Sequence, residues 1–365
     1  MRRPKLSCVL NSRKPPTVTK KILIIRFSSI GDIVLTTPVV RAVKQQLGAE
    51  VHFLTKRPFR AIVDVNPHID RVYAIDDRVG EVLPDLKKEK YDLIVDLHNN
   101  LRSAQVKWGL ATWQPATRAT TFHKLNLAKW LMVNMKVDRL PRRHIVERYL
   151  DTVRPLGVTY DGAGLDYFIP SGEQVDLALL AQAHLTGQPE LATRLVEGRY
   201  VGLVIGAAHA TKRLPADRLV ALAQKLPKPV VLLGGAGDAE TGAHIAGSTT
   251  GVINTCGDYS LHGSASLIGQ SAGLITHDTG LMHIGAALRR PMVSVWGNTI
   301  PEFGMYPFFP QGEDQNTTLQ VSGLGCRPCS KIGYAECPRG HFRCMRDQPL
   351  DLIATKVTRF LTANE

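Results

Sequence analysis

The sequence predicts an α/β protein of two doubly wound parallel sheets, closed by a C-terminal amphipathic helix. Three observations lead there. At 365 residues the chain exceeds one ordinary domain. Short β-branched runs alternate with helix-length segments from about residue 21 to residue 296, the pattern of βαβ units whose strands are buried on both faces. Stretches rich in Gly, Ser and Asp recur where a strand run gives way to a helix, which is where such sheets bind ligands.

The run KILIIRF (21–27) is the first strand, and a helix over Asp32–Leu47 follows it. EVHFLT (50–55), IDRVYAI (69–75) and YDLIVDL (91–97) read as further strands. In the second half, strands fall at 200–205, 229–234, 251–255, 273–278 and 291–296. Helices fit between them at about 215–226, 238–247, 263–271 and 279–288. The alternation lapses over 160–198, which places a linker near 170–195, between an N-terminal domain at 21–175 and a C-terminal domain at 195–345. After residue 296 a segment rich in Pro, Gly and Cys begins. The last element, 347–363, sets Leu350, Ile353, Val357, Phe360 and Leu361 on one helical face, with Pro349 suited to the first turn. This helix is expected to pack back towards the N-terminal domain.

Composition narrows the function classes. Hydrophobic residues at 44% and charged ones at 21% exclude a disordered chain. No apolar run approaches the roughly 18 residues of a membrane-spanning helix. Six cysteines are too few for a disulfide scaffold, so a reducing, cytoplasmic compartment is expected. The net charge of +13 is concentrated in two places. Residues 1–21 hold seven Lys or Arg and no acid, and residues 1–20 are expected to form a basic disordered tail. Residues 102–148 hold ten Lys or Arg against Asp138 and Glu147. Trp108, Trp113, Phe122, Trp130, Leu131 and Met132 are interleaved with those charges. Such a surface suits lipid headgroups and would also suit a nucleic acid.

Four constellations lie at predicted strand ends. In Arg26-Phe27-Ser28-Ser29-Ile30-Gly31-Asp32, hydroxyls and a glycine precede a helix whose free N–H groups favour an anion. Asp32 there either serves as a general base or caps the helix. Gly206–Pro215 carries Lys212 as a counter-charge for phosphate, without the second glycine of a Walker A loop. Gly234-Gly235-Ala236-Gly237-Asp238 permits close backbone approach, and Asp238 either contacts a ribose or caps a helix. His277-Asp278-Thr279-Gly280-Leu281-Met282-His283 offers another helix N-terminus, and its two histidines lack a same-face metal spacing. Separately, Cys326, Cys329, Cys337 and Cys344 allow a four-thiolate zinc site, thiols packed in an irregular loop, or a labile disulfide. With no second C-x-x-C, no metal is assigned. There is no Asp-x-Asp pair to hold a divalent ion on a diphosphate.

Taken in order, these motifs resemble the ADP-heptose–lipopolysaccharide heptosyltransferase family, glycosyltransferase family 9, with its GT-B fold of two Rossmann-like domains. KILIIRFSSIGDIVLTTPVVRAVKQQL is similar to the family's N-terminal signature, VDLHNNLRS (95–103) to its acceptor-side loop, and HDTGLMHIGAAL (277–288) to its donor-side motif. A Cys-rich segment ending His341-Phe342-Arg343-Cys344-Met345 is common in one branch. The resemblance spans about residues 20–360. It implies an inverting, metal-independent transfer of heptose from ADP-heptose to a lipopolysaccharide inner-core acceptor, with no cofactor. Asp32 would be the base. The donor would be held by Ser29, Ile30, Gly31, Lys212, Gly235, Asp238, Asp278, Thr279, Gly280 and His283. His98, Asn99, Asn100 and Arg102 would face the acceptor, and the basic 102–148 segment would hold an anionic glycolipid at the inner face of the cytoplasmic membrane. A monomer that binds no nucleic acid is expected. The chain departs from better-known relatives at Ala207 and Ala208, where they carry hydroxyl residues. Three other readings stay open: another sugar-nucleotide enzyme on the same fold, a zinc-stabilised nucleic-acid-binding protein, or a catalytically dead sugar-nucleotide sensor.

Overall fold

The structure is a computed structural model that describes residues 20–362. The expected basic tail lies, apart from Lys20, outside the described residues. The first sheet holds β1 (Lys21–Ile25), β2 (Glu50–Lys56), β3 (Arg71–Ile75), β4 (Leu93–Asp96) and β5 (Arg118–Thr121), in the order β3-β2-β1-β4-β5. The second holds β6 (Val201–Val204), β7 (Val230–Leu233), β8 (Val252–Asn254), β9 (Gly273–His277), β10 (Met292–Trp296) and β11 (Asn316–Gln320), in the order β11-β10-β9-β6-β7-β8. Every pairing is parallel. The strand order therefore reverses between β1 and β4 in one sheet and between β6 and β9 in the other. A doubly wound sheet opens its ligand crevice at such a reversal, outside the carboxyl ends of the strands.

Side-chain alternation sorts the core into layers. Ile22 and Ile24 of β1 enter one apolar cluster, while Leu23 and Ile25 enter another with Leu54, Leu86, Ile94, Val106 and Leu110. Val201 and Leu203 of β6 enter a third cluster beneath the second sheet. The first cluster is shared: it runs from Val39, Val43 and Tyr149 through to Leu274, Met282 and Ile284. The two halves thus bury one face of each sheet in common.

Nine of these eleven strands fall in the predicted runs. The two edge strands β5 and β11 do not, because RATT and NTTLQ are short, polar and only partly covered. The helix expected over Asp32–Leu47 is broken into Ile30–Val34 and Thr37–Leu47. The Thr36 and Thr37 hydroxyls donate back to the carbonyls of Ile33 and Val34 at 2.7 Å, and Pro38 starts the second helix. The stretch 160–198 is more ordered than a linker: it carries helices Leu177–His184 and Pro189–Val196. It docks on helix Leu261–Gln270 through Val175 N–H to Ser266 Oγ at 2.9 Å.

The C-terminal helix, Leu350–Thr362, corrects one expectation. Among the described residues its apolar face meets the second sheet rather than the N-terminal domain. Leu350, Ile353, Val357 and Leu361 join the cluster of the second sheet, alongside Leu219 and Leu222 of helix Ala216–Lys225. Gly273 of β9 leaves the space that the Phe360 ring fills.

Candidate functional site

The two crevices face each other. Helix Ile30–Val34, which begins at the end of β1, packs on helix Gly280–Ala287, which begins at the end of β9. Glycine makes the approach possible. A Cβ on Gly31 would lie 2.5 Å from His283 Cδ2, and one on Gly280 would lie 2.8 Å from Ile30 Cγ2. Ile30, Gly31, Gly280 and His283, all expected on the donor side, are therefore in contact.

Asp32 sits beside this junction, its side chain 20% exposed. One carboxylate oxygen is 2.6 Å from Nη2 of Arg26, and the other accepts from Ser29 Oγ at 2.9 Å and Ser29 N–H at 3.2 Å. Burial pushes the Asp32 carboxyl up, but Arg26, the Ser29 donors and nearby His283 outweigh it and hold it below the usual carboxylate value. Asp32 is thus ionised at neutral pH and both caps its helix and faces the junction. Arg26, which sequence reasoning quoted without a role, is buried and spends its other donors on Ser28 O (2.8 Å), Leu97 O (2.6 Å) and Tyr149 OH (3.0 Å). The available signal is a lone arginine inside the apolar run KILIIRF.

On the donor side, Lys212 and Asp278 are brought together at 2.7 Å, and Thr299 Oγ1 donates to the same Asp278 oxygen at 2.8 Å. Asp278 and Thr279 stand at the start of helix Gly280–Ala287, whose first N–H groups are open to an anion. His283 is buried with Nδ1 unpartnered, and burial lowers its pKa to about 4, so the ring is neutral. Asp238 is already engaged: it pairs with Arg213 at 2.9 Å and accepts from Gly235 N–H at 3.0 Å. The β7 loop is thereby shaped around Asp238.

On the acceptor side the four expected residues divide. His98 is half-buried, with Nδ1 unpartnered and its ring edge-on to Phe27 at 5.5 Å. Burial, aided by Arg26 and Lys124, lowers its pKa to about 4. Asn99, Asn100 and Arg102 have intramolecular partners. Asn99 Nδ2 donates to Phe122 O at 2.9 Å, Asn100 Oδ1 caps helix Leu101–Ala111 by accepting from Ser103 N–H, and Arg102 Nε donates to Asp77 O. The loop is organised by fully buried Asp96, which accepts from His98 N–H, Asn99 N–H and Ser103 Oγ and pairs with Lys107 at 2.7 Å.

The four late cysteines are free thiols around an irregular loop. Cys329 Sγ lies 3.2 Å from Cys326 O, and Cys326 Sγ lies 3.8 Å from His341 Nε2. Among the described residues, the group with metal-ligand spacing is Glu50, His52 and Glu89, not the cysteines. That group's side chains are already paired with Lys21, Arg71, Tyr73 and Tyr91.

The glycosyltransferase family 9 (heptosyltransferase) profile matches residues 80–337. Lipopolysaccharide heptosyltransferase 1 of Escherichia coli K12 is 25% identical over 307 residues, covering 77% of this chain and 89% of that protein. Lipopolysaccharide heptosyltransferase 2 of the same organism is 25% identical over 313 residues, covering 78% and 84%. A glycosyl transferase family 9 structure from Veillonella parvula superposes with a TM-score of 0.70 at 21% identity, covering 94% of this chain and 98% of that one. The E. coli ADP-heptose lps heptosyltransferase II structure superposes at 0.67 with 19% identity, covering 94% and 99%. The two parallel-sheet domains are those of the GT-B heptosyltransferases. This chain is a glycosyltransferase belonging to family 9, the heptosyltransferases.

Proposed function

We propose that the chain moves a heptose from ADP-heptose onto a lipopolysaccharide inner-core sugar, by an in-line displacement that inverts the anomeric carbon and requires no metal ion. The observation that carries this reading is the ionised Asp32 carboxylate at the strand-order reversal of one sheet, beside the helix N-terminus at the reversal of the other. Asp32 takes the proton of the acceptor hydroxyl as its oxygen attacks the anomeric carbon. Arg26 fixes the carboxylate and keeps it deprotonated. The departing diphosphate is met by Lys212, released from Asp278, and by the N–H groups at Thr279 and Gly280. Gly31, Gly235 and the backbone of Ser29 and Ile30 border the same space. Asp238 reaches the ribose only by exchanging Arg213 for it. With no Asp-x-Asp pair in the chain, these groups supply the positive charge that a metal would otherwise bring.

The acceptor enters past His98 and the basic 102–148 segment. Among the described residues no helix is long and apolar enough to cross a membrane. Trp108, Trp113, Leu127 and Trp130 are exposed beside the Lys and Arg of that segment, which supports peripheral contact with the inner face of the cytoplasmic membrane. The candidate site residues all lie on one chain, so the reading requires no partner subunit.

Asp32→Asn tests the assignment. Transfer from ADP-heptose should fall by about 10²–10⁴-fold, the usual worth of a positioned base, while ADP affinity by calorimetry stays within about twofold. Transfer above a tenth of the unmodified rate would remove Asp32 from the role of base.

A further inference from the structure

The short loop that carries Lys212 is fastened at both ends by residues outside it. At its start Thr211 is buried, and its N–H and hydroxyl both donate to Tyr334 O, at 3.2 Å and 3.1 Å. Tyr334 N–H donates back to Thr211 Oγ1 at 2.8 Å. At the far end Leu214 N–H donates to His277 Nε2 at 3.1 Å, and both of these residues are buried. Within the loop, Lys212 N–H donates to His209 O and Arg213 N–H to Ala210 O, each at 3.0 Å. Pro215, which has no N–H, follows, and helix Ala216–Lys225 begins after it.

His277 is the last residue of β9, on the same face as Ile275, which shares its apolar cluster with Leu214. The next residue, Asp278, holds Lys212 Nζ at 2.7 Å. Two consecutive residues at the carboxyl end of β9 therefore hold one loop, one by its backbone and the other by its ammonium. Burial lowers the His277 pKa to about 4. Because Nε2 accepts, the neutral ring carries its proton on Nδ1, and that atom is buried without a partner among the described residues. An aliphatic side chain here would free Leu214 N–H, whereas histidine satisfies that group and strands its own Nδ1–H. One buried donor is unpaired either way, so the histidine gains the fold little stability. What it changes is where the loop is held.

We propose that His277 is a positioning residue for the donor: it pins the backbone after Lys212 to β9, so that the lysine ammonium can pass from Asp278 to a nucleoside diphosphate while its loop stays in place. This rests on the heptosyl-transfer reading above and specifies how the donor-side cation is held. His277 acts through Lys212, and the Thr211–Tyr334 bonds fix the other end of the same loop. A loop tied at both ends has less freedom left to lose when the diphosphate arrives, which favours binding.

The test uses the full chain, with ADP as ligand and calorimetry as the readout. In His277→Gln the side-chain oxygen can take the place of Nε2 and accept from Leu214 N–H, whereas the shorter amide of His277→Asn cannot reach it. His277→Asn should weaken ADP binding about three- to tenfold, the usual worth of one hydrogen bond, and raise donor KM alike with acceptor KM unchanged. His277→Gln should stay within about twofold of the parent. Made in a Lys212→Met background, His277→Asn should cost nothing further, because the lysine it positions is gone. An undiminished loss in that background overturns the assignment, as does parental ADP affinity in His277→Asn or an equal loss in His277→Gln. A melting curve of each variant separates binding from folding. Should His277→Asn not fold, His277→Thr repeats the test, since it suits a strand and is also too short to reach Leu214. If the parent binds no ADP, the donor reading itself fails; if the parent binds ADP and His277→Asn binds it equally, only the role of His277 does.

Discussion

Replacing Arg26 by glutamine should move the titration of Asp32 upward. The guanidinium stands 2.6 Å from the carboxylate, and it is the first-ranked influence opposing burial. An adjacent opposite charge favours the ionised carboxylate, and the 20% exposure of the Asp32 side chain moderates that effect. In the parent, Asp32 titrates below its ordinary 3.8, so kcat/KM should show no acid limb from this group between about pH 4.5 and pH 8. In Arg26→Gln burial acts unopposed by that charge, and the acid limb should move up in pH. Stability follows the same sign. A depressed folded pKa contributes stability that is complete above the unfolded value and lost as pH falls through the folded value, so the parent keeps this contribution down to about pH 4 and the variant loses it. The variant also leaves Leu97 O and Tyr149 OH without their donor, at a cost of about 2–4 kcal/mol. Arg26→Lys keeps the charge but not the planar fork. It should melt earlier while, like the parent, showing no acid limb in the assayed range. The assay is kcat/KM for transfer from pH 4 to pH 8, with a melt at each pH. A limb that fails to move in Arg26→Gln, or moves equally in Arg26→Lys, refutes the account of how Asp32 is held ionised.

Two further substitutions probe the framework. Gly31→Ala puts a methyl 2.5 Å from the His283 ring, and overpacking of this kind should destabilise by about 1–3 kcal/mol; unchanged urea unfolding would show that the helices are not so closely apposed. Lys107→Met removes the counter-charge of fully buried Asp96. Three remaining hydrogen bonds soften the loss to about 2 kcal/mol, and a urea midpoint consistent with less than about 0.5 kcal/mol would assign Asp96 little structural weight.

Much of this architecture can be read from the chain because buried parallel strands must be apolar on both faces. KILII, VVLL and MVSVW declare themselves, whereas RATT and NTTLQ lie at sheet edges where polar residues suffice. The helices within 160–198 had readable starts, since Asp176 Oδ1 accepts from the N–H groups of Ala178 and Leu179 and Pro189 occupies a first turn. They were missed because neither continues the strand–helix rhythm. The strand-end loops were legible as ligand-facing, since glycine and short polar residues are what those positions need. What each side chain there does was not. Whether Asn100 faces a ligand or caps its own helix depends on Ser103, and whether Asp238 is free depends on where Arg213 falls.

The apolar cluster that spans both sheets has a consequence for recombining such enzymes. Exchanging one half for that of a relative replaces one side of a shared interior, so residues 30–34 and 280–287 need to travel as a matched set. A chimera that ignores this should fail by losing soluble yield before any change in sugar preference can be measured.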